Sequence, residues 1–243
     1  MFALFKKEVS SFLSSLTGYI VITIFLLAVG LFLWVFPGNF NILDAGYTSL
    51  ESLFVIAPWM FMFLIPAVTM RLFSEEMRNG TMEVLLTRPI SEWQIVLAKY
   101  LAGFLLVILA LLPTFIYYFS LQTLGNPPQN IDVGATWGSY FGLLFLGGSY
   151  VSIGVFASSL TENQLVAFIL AFFLCFFCYF GFDAIAQLPF FQAVDEPIIN
   201  LGINAHFASM SRGVLDTRDM LYFLGFIFFF LACTRFKIQS RNW

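Results

Sequence analysis

The chain has 243 residues, of which 60% are hydrophobic and only 10% are charged, and its mean hydropathy is +0.90. A soluble domain carries about 25% charged residues, so this composition excludes an ordinary soluble protein and indicates an integral membrane protein. The net charge of −3 gives no indication of a nucleic acid partner, and none is expected.

Six apolar runs are long enough to cross a bilayer, because about 20 helical residues span a hydrocarbon core of about 30 Å. The period-two alternation that marks membrane β-strands is absent from them. The sequence therefore predicts an all-α integral membrane protein, with a six-helix transmembrane domain over residues 17–236 and a tail over 237–243. The six runs cover residues 17–36, 52–72, 97–120, 136–160, 164–184 and 220–236.

The basic residues predict the orientation, because cytoplasmic flanks are enriched in Lys and Arg. If the N-terminus is cytoplasmic, nine of the eleven basic residues fall on inner flanks, and only Arg212 and Arg218 fall outside. Both termini are therefore predicted to be cytoplasmic. The connection over residues 187–219 is then an outer segment, in which short amphipathic helices are expected.

Residues 1–16 are predicted to form an amphipathic helix, because apolar residues recur at spacings of three and four. Its closeness to the first span indicates that it lies in the inner interface and anchors that span, with a partner contact as a second role. Its apolar face consists of Phe2, Phe5, Val9, Phe12 and Leu16. Its polar face includes Lys6, Lys7 and Glu8.

Between the second and third runs lies the only long segment with dense charge, residues 71–99. Gly80 can end the inward extension of the second span in the left-handed conformation, and Thr81 is expected to cap a short helix. Pro89 closes that helix after about two turns, because the residue before a proline disfavours helix. Ser91 then caps a third helix and has a Gln three positions later, which together form a capping box.

The short helix is expected to present Met82, Leu85 and Leu86 on one side. A helix of two turns is not stable by itself, so these side chains should dock on another surface. Two surfaces are compatible with the spacing: the inner interface of the same bundle, or a partner protein.

The run FSEEMRNGTMEVLLTRPISEWQIVLAKYLAG resembles the cytoplasmic segment of ABC-2 type transporter permeases. In that family an acidic and basic cluster precedes Gly-Thr, an acidic residue, a leucine pair and Thr-x-Pro. The N-terminal helix, the six spans and the outer run HFASMSRGVLD are also similar to the family, most of all to the gliding-motility-associated permeases of Bacteroidetes. The matching residues of the charged segment are Glu75, Glu76, Arg78, Gly80, Thr81, Glu83, Leu85, Leu86, Thr87 and Pro89.

The resemblance implies the ABC-2 permease fold and a multi-pass protein of the bacterial inner membrane. Residues 73–96, including Arg88, would be a coupling segment that fits a cleft in a separate ABC ATPase subunit, with the N-terminal helix beside it. A second permease copy or a sister membrane subunit would complete the transporter. The chain contains no G-x-x-x-x-G-K-[ST] phosphate loop, so ATP is expected to be bound and hydrolysed by the partner. The chain itself is expected to be neither an enzyme nor a cofactor-binding protein.

Two other functions are compatible with a helical membrane bundle. An ion-coupled secondary transporter usually has ionisable residues near mid-membrane, and the central parts of the six runs contain none. A membrane-embedded lipid-modifying enzyme needs carboxylates or histidines clustered at one interface, and only the charged segment contains such a cluster. His206 has no Ser, Cys or carboxylate neighbour that indicates a catalytic triad or a metal site, so a structural role is expected for it.

Overall fold

The fold is helical throughout the described part of the chain, in which no strand occurs. This confirms the predicted all-α fold. The structure, a computed structural model, describes residues 1–44, 46, 48–87, 89–125, 130–191, 194–213 and 216–240.

Thirteen α-helices lie in these ranges. They are α1 (Phe2–Ser14), α2 (Leu16–Trp34), α3 (Glu51–Thr69), α4 (Arg71–Arg78), α5 (Thr81–Leu86), α6 (Glu92–Leu111), α7 (Phe115–Leu124), α8 (Val133–Leu160), α9 (Gln164–Phe176), α10 (Phe182–Ala186), α11 (Asp195–Ile199), α12 (Ile203–Ser211) and α13 (Thr217–Gln239).

Five helical units in the described residues are long and apolar enough to cross a membrane. A sixth is obtained when α2 and α1, which are bent by 63° relative to each other, count as one span. Each of the six predicted runs therefore lies on a helix. The five units are Glu51–Arg78, Glu92–Leu124, Val133–Leu160, Gln164–Ala186 and Thr217–Gln239.

Several spans begin earlier than their apolar runs, because capping side chains determine where a helix starts. Asp132 accepts a hydrogen bond from the Ala135 N–H at 2.9 Å and begins α8. Asp216 accepts one from the Arg218 N–H at 2.9 Å and begins α13. Because the capping residues are polar, apolar composition alone does not show where these helices begin.

The long helix α8 lies at the centre of the bundle and packs against α3, α6, α9, α12 and α13. Small residues allow the helices to come this close. A Cβ on Gly138 would lie 2.7 Å from the Cα of Gly213, and a Cβ on Gly154 would collide with the hydroxyl of Thr69. These glycines are therefore required for packing within the chain.

Candidate functional site

The helices of the bundle end at two opposite faces, and both faces carry charged residues. The charged end consists of α1, α4, α5, the start of α6 and the ends of α8 and α13. The far end consists of α11, α12 and the starts of α3, α8 and α13. The predicted coupling residues that the structure describes all belong to the charged end, so its geometry is described first.

Buried hydroxyl groups fix α4 to the end of α8. Ser158 Oγ accepts hydrogen bonds from the backbone N–H of Phe73 at 2.8 Å and of Ser74 at 3.2 Å. Ser74 Oγ donates to the Ser158 carbonyl at 3.1 Å, and Ser158 Oγ donates to the Met70 carbonyl at 3.0 Å. Both serines are fully buried. The bond to Phe73 satisfies an N–H group in the first turn of α4, where backbone donors have no partner within the helix.

A buried lysine lies where α1, α4 and α6 meet. The Lys99 side chain is 1% exposed, and its Nζ lies 3.1 Å from Glu8 Oε1 and 2.9 Å from Glu76 Oε2. The contact with Glu76 is an ion pair without the alignment of a hydrogen bond. Nζ also donates to the Leu72 carbonyl and lies 5.0 Å from the ring centroid of Phe73. One ammonium group therefore connects three helices.

Lys7 completes this network and balances its charge. Its Nζ lies 3.0 Å from Glu76 Oε1 and 3.5 Å from Glu8 Oε1, so two cations face two carboxylates. Burial by itself lowers the pKa of Lys7, but the hydrogen bond and charge of Glu76 and the charge of Glu8 outweigh it. The pKa of Lys7 is therefore raised above its usual 10.5. We call Lys7, Glu8, Glu76 and Lys99 the charge network.

The buried side of α1 differs from the side that the sequence predicts. The sequence places Glu8 on the polar face, but only 8% of its surface is exposed. Phe2, predicted on the apolar face, is 77% exposed, which agrees with an apolar side that lies in the membrane interface. Leu16, predicted on the same face, is instead the first residue of α2 and is 75% exposed. The buried face is rotated because Glu8 pairs with a cation of α6, and the periodicity of α1 carries no information about that partner.

The cap of α5 also differs from the prediction. Gly80, with φ +66°, occupies the cap position that was assigned to Thr81. Thr81 is the first helical residue, and its hydroxyl donates to the Glu76 carbonyl at 3.3 Å. A left-handed residue turns the chain sharply between α4 and α5, and glycine adopts this conformation without the steric cost of a Cβ. The prediction that a glycine ends the preceding helix is confirmed.

The apolar side of α5 faces the bundle. Met82 is 6% exposed and belongs to the hydrophobic core, and Leu85 is half-buried against that core. The spacing allows two docking surfaces, the bundle and a partner protein. Met82 and Leu85 pack on the bundle. The side chain of Leu86 and the whole of Arg88 lie outside the described residues.

The opposite side of α5 and its flanks remain at the surface, and we call this surface the coupling strip. Val84 lies about 200° around the helix from Met82, since successive residues are about 100° apart, and it is 58% exposed. An exposed apolar side chain is common on any protein surface, and here it is compatible with contact to a partner protein or to the membrane interface. The strip consists of Glu75, Arg78, Gly80, Thr81, Glu83, Val84, Thr87 and Pro89, all of them exposed.

Two further contacts hold the start of α6. The predicted capping box is confirmed: Ser91 Oγ accepts from the Gln94 N–H at 3.4 Å, and Gln94 Oε1 accepts from the Ser91 N–H at 3.3 Å. Arg235 of α13 lies with its guanidinium carbon 5.3 Å from the ring centroid of Trp93 and its Nε 3.6 Å from Glu92. The end of α13 is thereby fixed to the same region.

Sequence reasoning missed Lys99 and Val84 as members of the site. Lys99 lies at the end of an apolar run, where a cation needs a partner, and that requirement was a usable signal. Val84 could be found only after the side of α5 that faces the bundle was known. Glu76 was also predicted as a coupling residue, but it is buried in the charge network and does not belong to the exposed coupling strip.

At the far end, the structure agrees with a structural, hydrogen-bonded role for His206 but corrects the expectation that no carboxylate lies beside it. His206 does have a carboxylate neighbour, since its Nδ1 lies 2.6 Å from Asp219 Oδ1. Its Nε2 lies 2.9 Å from the Asn200 carbonyl, and its ring stacks on Tyr222 at 3.8 Å between centroids. Both ring nitrogens therefore have partners, and the histidine joins α12 to the first turn of α13.

The fold and the charged end define a class of protein: a multi-pass helical membrane protein that presents a short, anchored helix at one end. The chain matches the family model described as ABC-2 family transporter protein over residues 2–233. It therefore belongs to the ABC-2 transporter family and is a permease subunit of an ABC transporter. A comparison with curated proteins gives no match.

Proposed function

We propose that this permease subunit couples ATP hydrolysis by a separate ABC ATPase subunit to export, or to mechanical work, across a bacterial inner membrane. The coupling strip would fit a cleft of the ATPase, with α1 beside it. The observation that supports this most directly is Val84, an exposed apolar residue on a helix whose other side is buried in the bundle.

The contacts of the charged end offer a route for the motion. A force on α5 reaches α4 through a two-residue turn, and α4 is bonded to α8 through Ser74 and Ser158. The charge network joins α4 to α1 and α6. Closure of the ATPase would therefore displace α1, α4, α6 and the end of α8 together and tilt the second and third spans, which opens or closes a path through the membrane.

The positions of the buried charged residues support an ATP-driven mechanism over an ion-coupled one. Among the described residues, the buried acidic and basic side chains all lie at the ends of the bundle. An ion-coupled carrier usually has such groups near mid-membrane. The buried charged residues are Glu8, Glu76, Lys99 and Asp219.

The proposed arrangement has both termini in the cytoplasm and two permease subunits side by side, either two copies of this chain or this chain with a sister protein. Most basic residues then lie on the cytoplasmic side. The resemblance of the sequence to gliding-motility-associated permeases supports a role in gliding motility, with work on an outer partner as the output.

The test is co-purification of the tagged chain from its own cells in mild detergent, with mass spectrometry of the bound proteins. Val84→Asp should reduce the amount of ATPase subunit by about tenfold or more, because it places a carboxylate in an apolar contact. The matched control is Val194→Asp, which changes a valine of similar exposure, 48%, at the far end. Retention of the ATPase by Val84→Asp, or its absence from the unmodified chain, would contradict the proposal.

A further inference from the structure

The far end contains a cavity of about 410 Å³ that the proposed transport mechanism does not use. It lies between the starts of α3 and α8, the helix α12 and the turn at residues 177–181. Residues from four separate parts of the chain thus surround one space, and the properties of its walls indicate what it can hold.

One wall of the cavity is apolar and open to the side of the bundle. Trp59 and Phe180 pack against each other with their ring centroids 4.6 Å apart. Trp59 and Val55 are 44% and 45% exposed, although both line the cavity. Both lie on α3, which is part of a unit long and apolar enough to cross a membrane. This wall therefore continues onto an exposed apolar surface near one end of that unit, where lipid is expected and aromatic residues are common.

The rim of the same cavity carries charges of both signs. Arg212 Nε donates to the Ala208 carbonyl at 3.2 Å, which holds the side chain in place and leaves its two terminal nitrogens for a ligand. Asp132 uses Oδ1 to cap α8, so its Oδ2 remains available. Glu51 is exposed in the first turn of α3. The rim thus offers one fixed cation and two carboxylates.

We propose that this cavity binds the headgroup of a zwitterionic phospholipid that carries a primary amine. Arg212 would hold the phosphate, because a guanidinium pairs well with phosphate oxygens. Glu51 and Asp132 would accept hydrogen bonds from the ammonium, and an acyl chain would lie along Val55, Trp59 and Phe180.

The charges favour this ligand over other lipids and over soluble ions. An anionic headgroup would place a negative charge near two carboxylates without a second cation to balance them. A choline headgroup has no N–H to donate to the carboxylates, although it can rest on an aromatic face. A soluble phosphate would leave the apolar wall without a partner. The preferred order is therefore phosphatidylethanolamine, then phosphatidylcholine, then phosphatidylglycerol.

The experiment is native mass spectrometry of the full chain, delipidated in detergent and titrated separately with these three lipids. Phosphatidylethanolamine should bind most tightly. Arg212→Gln and Glu51→Gln should each weaken it by roughly tenfold, since each replaces a hydrogen bond between two charged groups by a weaker one in which the side chain is neutral. The controls are Arg218→Gln and Glu196→Gln, which change exposed residues of the same types outside the cavity and should leave binding unchanged.

The source of the headgroup is tested by competition. Glycerophosphoethanolamine, which has the headgroup without acyl chains, should not displace the lipid at the concentration at which the lipid saturates. The proposal is wrong if all three lipids bind equally, if the cavity variants behave like their controls, or if the soluble headgroup competes as well as the lipid. It is also wrong if a second copy of the chain covers the cavity, so that the dimer binds no lipid at this site. Binding is measured without an ATPase, so the outcome is independent of the proposed function.

Discussion

Substitution of Lys99 by Met tests the charge network directly. Methionine has a similar length and suits the apolar surroundings, but it removes the ammonium that faces Glu8 and Glu76. The two carboxylates, with 10% and 12% of their side chains exposed, then share Lys7 as their cation. The charge of the network changes from zero to −1, and the Leu72 carbonyl loses its side-chain donor.

Removal of one partner from a buried ion pair costs about 3 to 5 kcal/mol, because the remaining charge is left without compensation. For a chain of this length each kcal/mol corresponds to a change of about 2 to 4 °C in the unfolding midpoint. Lys99→Met should therefore lower the midpoint by about 6 to 20 °C when the purified chain is heated in detergent. Arg218→Met, which changes an exposed cation at the far end, is the control and should shift the midpoint only slightly.

A second substitution separates charge from packing. Glu76→Gln in the Lys99→Met background returns the charge of the network to zero and should recover a large part of the lost stability. If Lys99→Met unfolded at the same temperature as the control, the network would not stabilise the charged end. If Glu76→Gln gave no recovery, the loss would have to come from packing and not from an unpaired charge.

Two further predictions concern packing and pH. Gly154→Ala places a methyl group against the Thr69 hydroxyl and should cost about 1 to 3 kcal/mol by overpacking; Gly225→Ala, which meets no atom within 4 Å, should be neutral in the same unfolding assay. The pKa of Lys7 is raised in the fold, so its ion pairs stabilise the fold fully below its unfolded pKa and lose this contribution as pH rises through the raised value. Lys7→Gln should therefore unfold at a lower temperature than the unmodified chain at pH 8, and the two midpoints should converge above pH 10.5; a difference that is constant over this range would contradict the assignment.

The charged segment shows what a local pattern can and cannot predict. The turn at Gly80 and the capping box at Ser91 follow from residue types within a few positions of each other, and the structure contains both. The cap position of α5 was predicted one residue too late, because threonine and glycine both favour helix starts. The direction in which α5 points was undecided, since Met82 and Leu85 suit an apolar core and a partner equally well.

The six apolar runs and the basic residues at their ends are local properties, so the sequence by itself determined an all-α membrane bundle with a charged segment between the second and third spans. The tertiary structure alone decided which side of α1 is buried. It also decided that Lys99 contacts Glu8 and Glu76, which are 91 and 23 residues away in the sequence (99 − 8 and 99 − 76). The contact between His206 and Asp219 is a third feature of this kind. Such contacts depend on how helices pack against one another. Periodicity within one helix cannot show which charge of another helix will face it.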